Sequence, residues 1–150
     1  MREKLRPRKP IIWLTGQSGV GKTTLVNALK RKIGGIVLDG DEMRETISTD
    51  LGFTREDRDT HNLRVARLAN SLSRENFVIV SVIAPFRTTR RKIDEILKPI
   101  WVYVERKLSI KKERPYEIPQ NYHIKVNSDK QTTGEQVGVI LKYFLRKNLI

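Results

Sequence analysis

The run Gly16-Gln17-Ser18-Gly19-Val20-Gly21-Lys22-Thr23 spells G-x-x-x-x-G-K-T. It stands between an apolar run, Ile11 to Leu14, and a stretch with helical period, Leu25, Val26, Leu29 and Ile33. Strand, glycine-rich loop and helix in that order restrict the fold severely, because the loop must carry a strand end into a helix start within a few residues. Glycines free the backbone N–H groups to wrap an anion, and the positive end of the following helix points at it. Lys22 adds a mobile cation, and the Thr23 hydroxyl is a ligand for Mg²⁺. A glycine-rich turn with an accidental lysine is the plainer alternative, and the flanking strand and helix speak against it. ATP held with Mg²⁺ is the expected ligand of this run and the adjoining Thr24.

Strand-like and helix-like segments alternate along the rest of the chain. Strands are expected at Ile11 to Thr15, Ile36 to Leu38 with Asp39 at its end, Phe77 to Ala84, Ile100 to Val104 and Tyr122 to Val126. Phe77 to Ala84 is almost wholly apolar, as a parallel strand buried on both faces has to be. Helices are expected from Lys22 to Ile33, closed by Gly34-Gly35, and from Asp41 to about Thr49. A capping box at Thr54 and Asp57 opens a long helix with Leu63, Ala66, Leu68, Ala69 and Leu72 as its apolar face. Another helix runs from Thr88 or Thr89 to Leu97, stopped by Pro99, and Thr132 with Glu135 caps a last one through Leu145. The alternation gives an α/β fold of the P-loop nucleoside-triphosphate hydrolase type, a parallel sheet flanked by helices, with ligands at the carboxyl ends of the strands. Trp13, Trp101 and His123 lie in apolar strand contexts and read as core.

Length allows one domain, residues 10–150, behind a basic arm over residues 1–9. With no cysteine there is no disulfide framework and no thiolate chemistry, and two isolated histidines make a zinc site improbable. The arm lacks the apolar core of a secretion signal and no apolar run reaches membrane-spanning length, so a cytoplasmic location is expected. The net charge of +13 admits nucleic-acid binding through phosphate contacts. Dispersed basic residues without an aromatic-interleaved stripe favour the milder reading, a field that steers anionic substrates such as ATP.

The apolar strand Phe77 to Ala84 ends in Ala84-Pro85-Phe86, without the magnesium aspartate usual there in switch-type nucleotide hydrolases. The guanine-selecting order N-K-x-D is also absent, for Asn127-Ser128-Asp129-Lys130 scrambles it. An acidic pair does follow the second strand, in Leu38-Asp39-Gly40-Asp41. A carboxylate there binds Mg²⁺ or takes the proton of a substrate hydroxyl, which suits a small-molecule kinase better than a motor or switch. Aspartates also favour turns and helix caps. Asp41 reads as the cap and Asp39 as the chemical residue.

Four segments together resemble the adenylylsulfate (APS) kinase family, which transfers the γ-phosphate of ATP to the 3′-hydroxyl of APS. They are G-Q-S-G-V-G-K-T-T, L-D-G-D-E-M-R, D-L-G-F-T-R-E-D-R and V-I-V-S-V-I-A-P-F-R, in family order from Ile11 to about Arg91. The resemblance implies that Lys22 and Thr23 hold the ATP phosphates and Mg²⁺, with Asp39 near the metal and the attacking hydroxyl as base. It implies that Arg44 and Arg58 bind the anionic phosphosulfate and that Phe53 stacks on the acceptor adenine. Asp41, His61, Pro85, Phe86 and Arg87 complete the implied acceptor site, and a homodimer and a place in sulfate assimilation are implied as well. Arginine forks match phosphate and sulfate oxygens, and an aromatic face suits a purine. Without the resemblance, Phe53 reads more readily as core, Arg44 as solvated and Arg58 as ion-paired.

Three departures from the family pattern stand out. His61 occupies the place of a family asparagine, with Asn62 one step later, and one step on a helix rotates a side chain by about 100°, so Asn62 does not simply replace it. The family's I-S-P-Y-R is Ile83-Ala84-Pro85-Phe86-Arg87. A long basic lid after the fourth strand is reduced to a short segment around residues 105–117, which carries Arg106, Lys107, Lys111, Lys112 and Arg114. Beside an APS kinase with a minimal lid stand a P-loop kinase for another hydroxyl (nucleoside, nucleotide, sugar or 5′-hydroxyl polynucleotide) and a non-catalytic nucleotide-binding relic.

Overall fold

The computed structural model describes residues 8–17 and 19–150; most of the expected basic arm, and Ser18 of the loop, lie outside the described residues. β1 (Ile11–Thr15) is buried along its whole length at the centre of a five-stranded sheet ordered β2-β3-β1-β4-β5. β2 spans Ile36–Asp39, β3 Val78–Ser81, β4 Ile100–Glu105 and β5 Ile124–Asn127, and every pairing is parallel. Parallel neighbours require crossovers, and helices supply most of them. α1 (Lys22–Ile33) joins β1 to β2, α2 (Gly40–Thr46) and α3 (Arg55–Leu72) lead to β3, α4 (Arg87–Leu97) leads to β4, and α5 (Thr133–Arg146) follows β5. Only the β4–β5 crossover has no helix: residues 106–123 form a strap whose one bridge joins Lys111 to Arg114.

Strand side chains alternate between two faces. On one face Ile12, Leu14, Ile79 and Val102 meet Leu25 and Leu29 of α1 and Ile140 and Phe144 of α5. On the other, Trp13, Val78 and Val80 meet Val65, Ala66 and Ala69 of α3 and Ile93 of α4. Each such large apolar side chain contributes about 2 kcal/mol by leaving water. Two packed faces account for strands that read as unbroken apolar runs.

Several expectations change in detail. The strand expected through Ala84 stops at Ser81, because the chain leaves the sheet there to form a loop in which Ala84 takes a left-handed φ of 49°. Side chains replace the ladder: Trp13 Nε1 donates to Val82 O at 2.8 Å and Thr15 Oγ1 to Ile83 O at 2.6 Å. The buried face of α3 runs through His61, Asn62, Val65, Ala66 and Ala69, while Leu63, Leu68 and Leu72 pack at its margins. Thr54 caps α3 through Asp57 N, but the Asp57 carboxylate takes Gly52 N, so the box is half closed; that at Thr132 and Glu135 is complete. Trp13 and Trp101 are core, with ring centroids 5.4 Å apart. His123 is not core: β5 begins one residue later, leaving the ring exposed, with Nδ1 accepting Trp101 N–H at 3.0 Å.

Candidate active site

The loop after β1 is shaped by its glycines. A side chain at Gly16 would place Cβ 2.6 Å from Val104 O, and Gly21, the N-cap of α1, sits at φ 87°. The first-turn N–H groups of α1 therefore face the loop rather than a capping side chain, since α1 has no side-chain cap. Lys22 Nζ donates to Gly16 O at 2.7 Å and Gln17 O at 2.8 Å. Burial lowers its pKa to about 8, so the ammonium is held by the loop's own carbonyls where a phosphate would satisfy it better. Val20 is core, and its carbonyl accepts Ser128 Oγ at 2.5 Å. Arg106, from the start of the strap, donates to Gly19 O at 3.0 Å and pairs with Asp129.

A cleft of about 710 Å³ opens beside this loop, across the carboxyl ends of β2 and β3. One end is formed by Gly19, Gly21, Lys22 and Thr23, the other by Arg44, Phe53, Arg58 and His61. Asp39 and Asp41 lie on its lining, as do Ser81 to Pro85. Asp39, not Asp41, is the N-cap of α2: its Oδ2 accepts Glu42 N–H at 3.1 Å, because it is the last extended residue before the helix. Its other oxygen makes no bond to the protein among the described residues.

Phe53 is 69% exposed, which overturns the core reading. The guanidinium carbons of Arg44 and Arg58 stand 4.6 and 5.5 Å from its ring centroid. Arg44 donates to Gly52 O at 2.5 Å; Arg58 donates to Phe53 O at 2.9 Å and, across the cleft rim, to Glu113 O of the strap at 3.2 Å. Neither forms an ion pair among the described residues. Burial first and the Arg58 charge second push the Arg44 pKa below its usual value. Two cations thus share one exposed aromatic ring, and the Asp57 carboxylate works against the lowering at Arg44 without forming an ion pair with it.

His61 is 3% exposed; its Nδ1 meets Ser48 Oγ at 2.8 Å. Burial, then Arg44 and Arg64, lower its pKa to about 4, so the ring is neutral at pH 7. Asn62 is buried too and lines the same cleft, against the expectation from helix rotation, because α3 is covered on a face wide enough to take both residues. Sequence reasoning set Asn62 aside on helix rotation and left out Ser81, which is signalled by its place at the end of β3.

Two expected acceptor residues stand elsewhere. Phe86 is buried beneath Arg55, whose guanidinium lies 4.1 Å from the ring centroid. Arg87, the first residue of α4, turns to the strap, donating to Ile118 O at 3.0 and 3.1 Å. Thr24 is exposed on α1, outside the cleft lining.

A parallel sheet with this loop between β1 and α1, and a carboxylate at the end of β2, defines the architecture of a P-loop kinase. The model of the adenylylsulphate kinase family matches residues 8–123, and the chain belongs to that family. An adenylyl-sulfate kinase of Halothermothrix orenii is 33% identical over 93% of this chain and 91% of its own length, and one of Rippkaea orientalis is 36% identical over 86% and 87%. The solved APS kinase of Mycobacterium tuberculosis, in complex with AMPPNP and APS, superposes with a TM-score of 0.83 at 24% identity, covering 93% of this chain and 99% of that one. Among the described residues no helix is long and apolar enough to cross a membrane.

Proposed function

We propose that the protein is an ATP-dependent kinase that transfers the γ-phosphoryl group of ATP to the 3′-hydroxyl of adenylylsulfate. One observation carries this reading: the phosphate loop and the paired Arg44–Phe53–Arg58 surface are two ends of a single cleft, with Asp39 on its lining. In this reading Lys22 leaves the Gly16 and Gln17 carbonyls for the β- and γ-phosphates of ATP, and loop N–H groups bind the remaining oxygens. Arg44 and Arg58 take the phosphosulfate, and Phe53 offers its exposed face to the adenine. Asp39 accepts the 3′-hydroxyl proton as the new O–P bond forms and the bond from the γ-phosphorus to the bridging oxygen breaks, releasing ADP.

The residues present suit Mg²⁺. That ion takes one or two protein oxygens and fills its shell with phosphate oxygens and water, and Thr23 and the free oxygen of Asp39 supply hard donors on one cleft. When bound it would neutralise charge on the phosphates. The strap replaces a lid only in part. The alignment with the Halothermothrix orenii relative runs over 168 positions, more than this chain has residues, so that relative carries segments this chain lacks. Arg106 on the loop and Glu113 on Arg58 nonetheless tie the strap to both ends of the cleft, in place of a cover that must close. The reading places the protein in the cytoplasm.

The test is ADP release with Mg²⁺ and ATP across a panel of APS, sugars, nucleosides and a 5′-hydroxyl oligonucleotide. APS alone should stimulate it; stimulation by another member with APS inert would overturn the assignment of the acceptor.

A further inference from the structure

Among the described residues one buried side-chain polar atom has no hydrogen-bond partner: Oδ1 of Asn62, a residue of the cleft lining. The residue is 2% exposed, and its side chain makes no hydrogen bond to the protein at all. A buried amide left unpaired is costly, and native folds rarely keep one without use. Its neighbour is not available for the same work, since the His61 ring is tied to Ser48 Oγ. Asn62 stands beside, not at, the position where the family has its asparagine.

We propose that Asn62 is a specificity-determining residue that reads the nucleoside part of the acceptor, its Oδ1 taking a hydrogen bond from that nucleoside and its amide N–H₂ returning one. The proposal rests on the kinase reading above. An orphan acceptor needs a donor, and the phosphosulfate offers only acceptors, which Arg44 and Arg58 already suit. Donors on adenylylsulfate are the exocyclic amine of the base and the ribose hydroxyls. The amine is favoured, because a carboxamide presents adjacent acceptor and donor atoms that match the amine and ring nitrogen of an adenine edge. A site that pairs a buried polar group with its substrate rejects an analogue lacking the donor far more strongly than an apolar pocket rejects a change of size.

The experiment compares wild type with Asn62→Leu and Asn62→Asp in steady-state kinetics, using APS, its hypoxanthine analogue and its 2′-deoxy analogue. Asn62→Leu should lower kcat/KM for APS by roughly a hundredfold, leave the KM for ATP unchanged, and raise the melting temperature, because it removes the unpaired buried group. Asn62→Asp, which keeps Oδ1, should recover part of the loss. Wild type should discriminate against the hypoxanthine analogue, and Asn62→Leu should not; if discrimination collapses for the 2′-deoxy analogue instead, the ribose is the donor. Unchanged APS kinetics and discrimination in Asn62→Leu would overturn the proposal. If wild type ignores APS, the kinase reading fails separately; the same variant is then compared on whichever nucleoside acceptor turns over. There a wild-type kcat/KM in Asn62→Leu, or the absence of any nucleoside acceptor, would overturn the inference.

Discussion

Asp39 serves two purposes that a single substitution separates. It caps α2 through Glu42 N and turns an unpaired oxygen to the cleft. Asparagine caps a helix as well as aspartate does, whereas alanine does not. Asp39→Asn should therefore keep the melting temperature of the wild type while lowering turnover about a hundredfold or more, and Asp39→Ala should lose about 1 kcal/mol of stability besides. Equal turnover in Asp39→Asn and wild type would leave the residue a cap alone. His61 gives a pH signature. Its pKa is about 4 in the fold against an ordinary 6.5, so between those values the unfolded chain holds a proton that the folded chain does not. Acidification from pH 6.5 towards pH 4 should thus erode stability, and His61→Gln should flatten that slope in urea titrations at successive pH values. At this scale the sequence spoke unevenly. The places of Lys22 and Thr23 on the cleft were legible from the loop motif, and that of Asp39 from the acidic pair after the second strand. Phe53 was legible only by resemblance, since local sequence says nothing about which phenylalanine a fold leaves exposed. Phe86 and Arg87 were misplaced because the turn at Ala84 sets where they point.

That turn shows how an element makes a wall. β3 ends at Ser81, and the next residues bend away at the cleft, with Ala84 in a conformation that costs a non-glycine residue about 1 kcal/mol. Arg90 of α4 fastens it. The side chain is 7% exposed, donates to Ala84 O and to Glu117 O at 2.6 Å each, and lies 5.5 Å from the Tyr116 ring centroid. Glu117 N in turn donates to Pro85 O at 2.8 Å, and Tyr116 shares a hydrogen bond with Thr15 Oγ1 at 3.0 Å. The end of the strap and the cleft wall at Ala84 and Pro85 are one assembly held by a guanidinium. Arg90→Leu should lower stability by about 2 kcal/mol, through carbonyls left unpaired, and raise the KM for the acceptor while sparing that for ATP. A variant equally weakened towards both substrates would show a general loss of packing. None of this network was legible in the sequence, because Arg90 reaches backbone carbonyls, which carry no residue signal, and the Thr15–Tyr116 contact joins residues 101 positions apart. The helices and strands were legible, because their periods and caps are local.

Across the whole molecule, the order β2-β3-β1-β4-β5 puts β1 and its loop beside β3, with β2 next to it, so that Lys22 and Asp39 share one cleft. Alternation of apolar runs and amphipathic helices foretold the parallel sheet but not the strand order, which long-range pairing decides. The net charge of +13 includes the strap cations Arg106, Lys107, Lys111, Lys112 and Arg114, and a charge of that sign favours the approach of anions in general. The strap is tied to Gly19 O through Arg106 and to Arg58 through Glu113 O, and on the proposed function these ties have to suffice for transfer. The most direct measurement follows the label of γ-labelled ATP in the presence of Mg²⁺ and adenylylsulfate, with the product's position identified by mass spectrometry and phosphorus NMR. Label should appear on the 3′-oxygen of adenylylsulfate and be lost in Lys22→Ala. Label that remains in ATP or appears only as inorganic phosphate would contradict the proposed function.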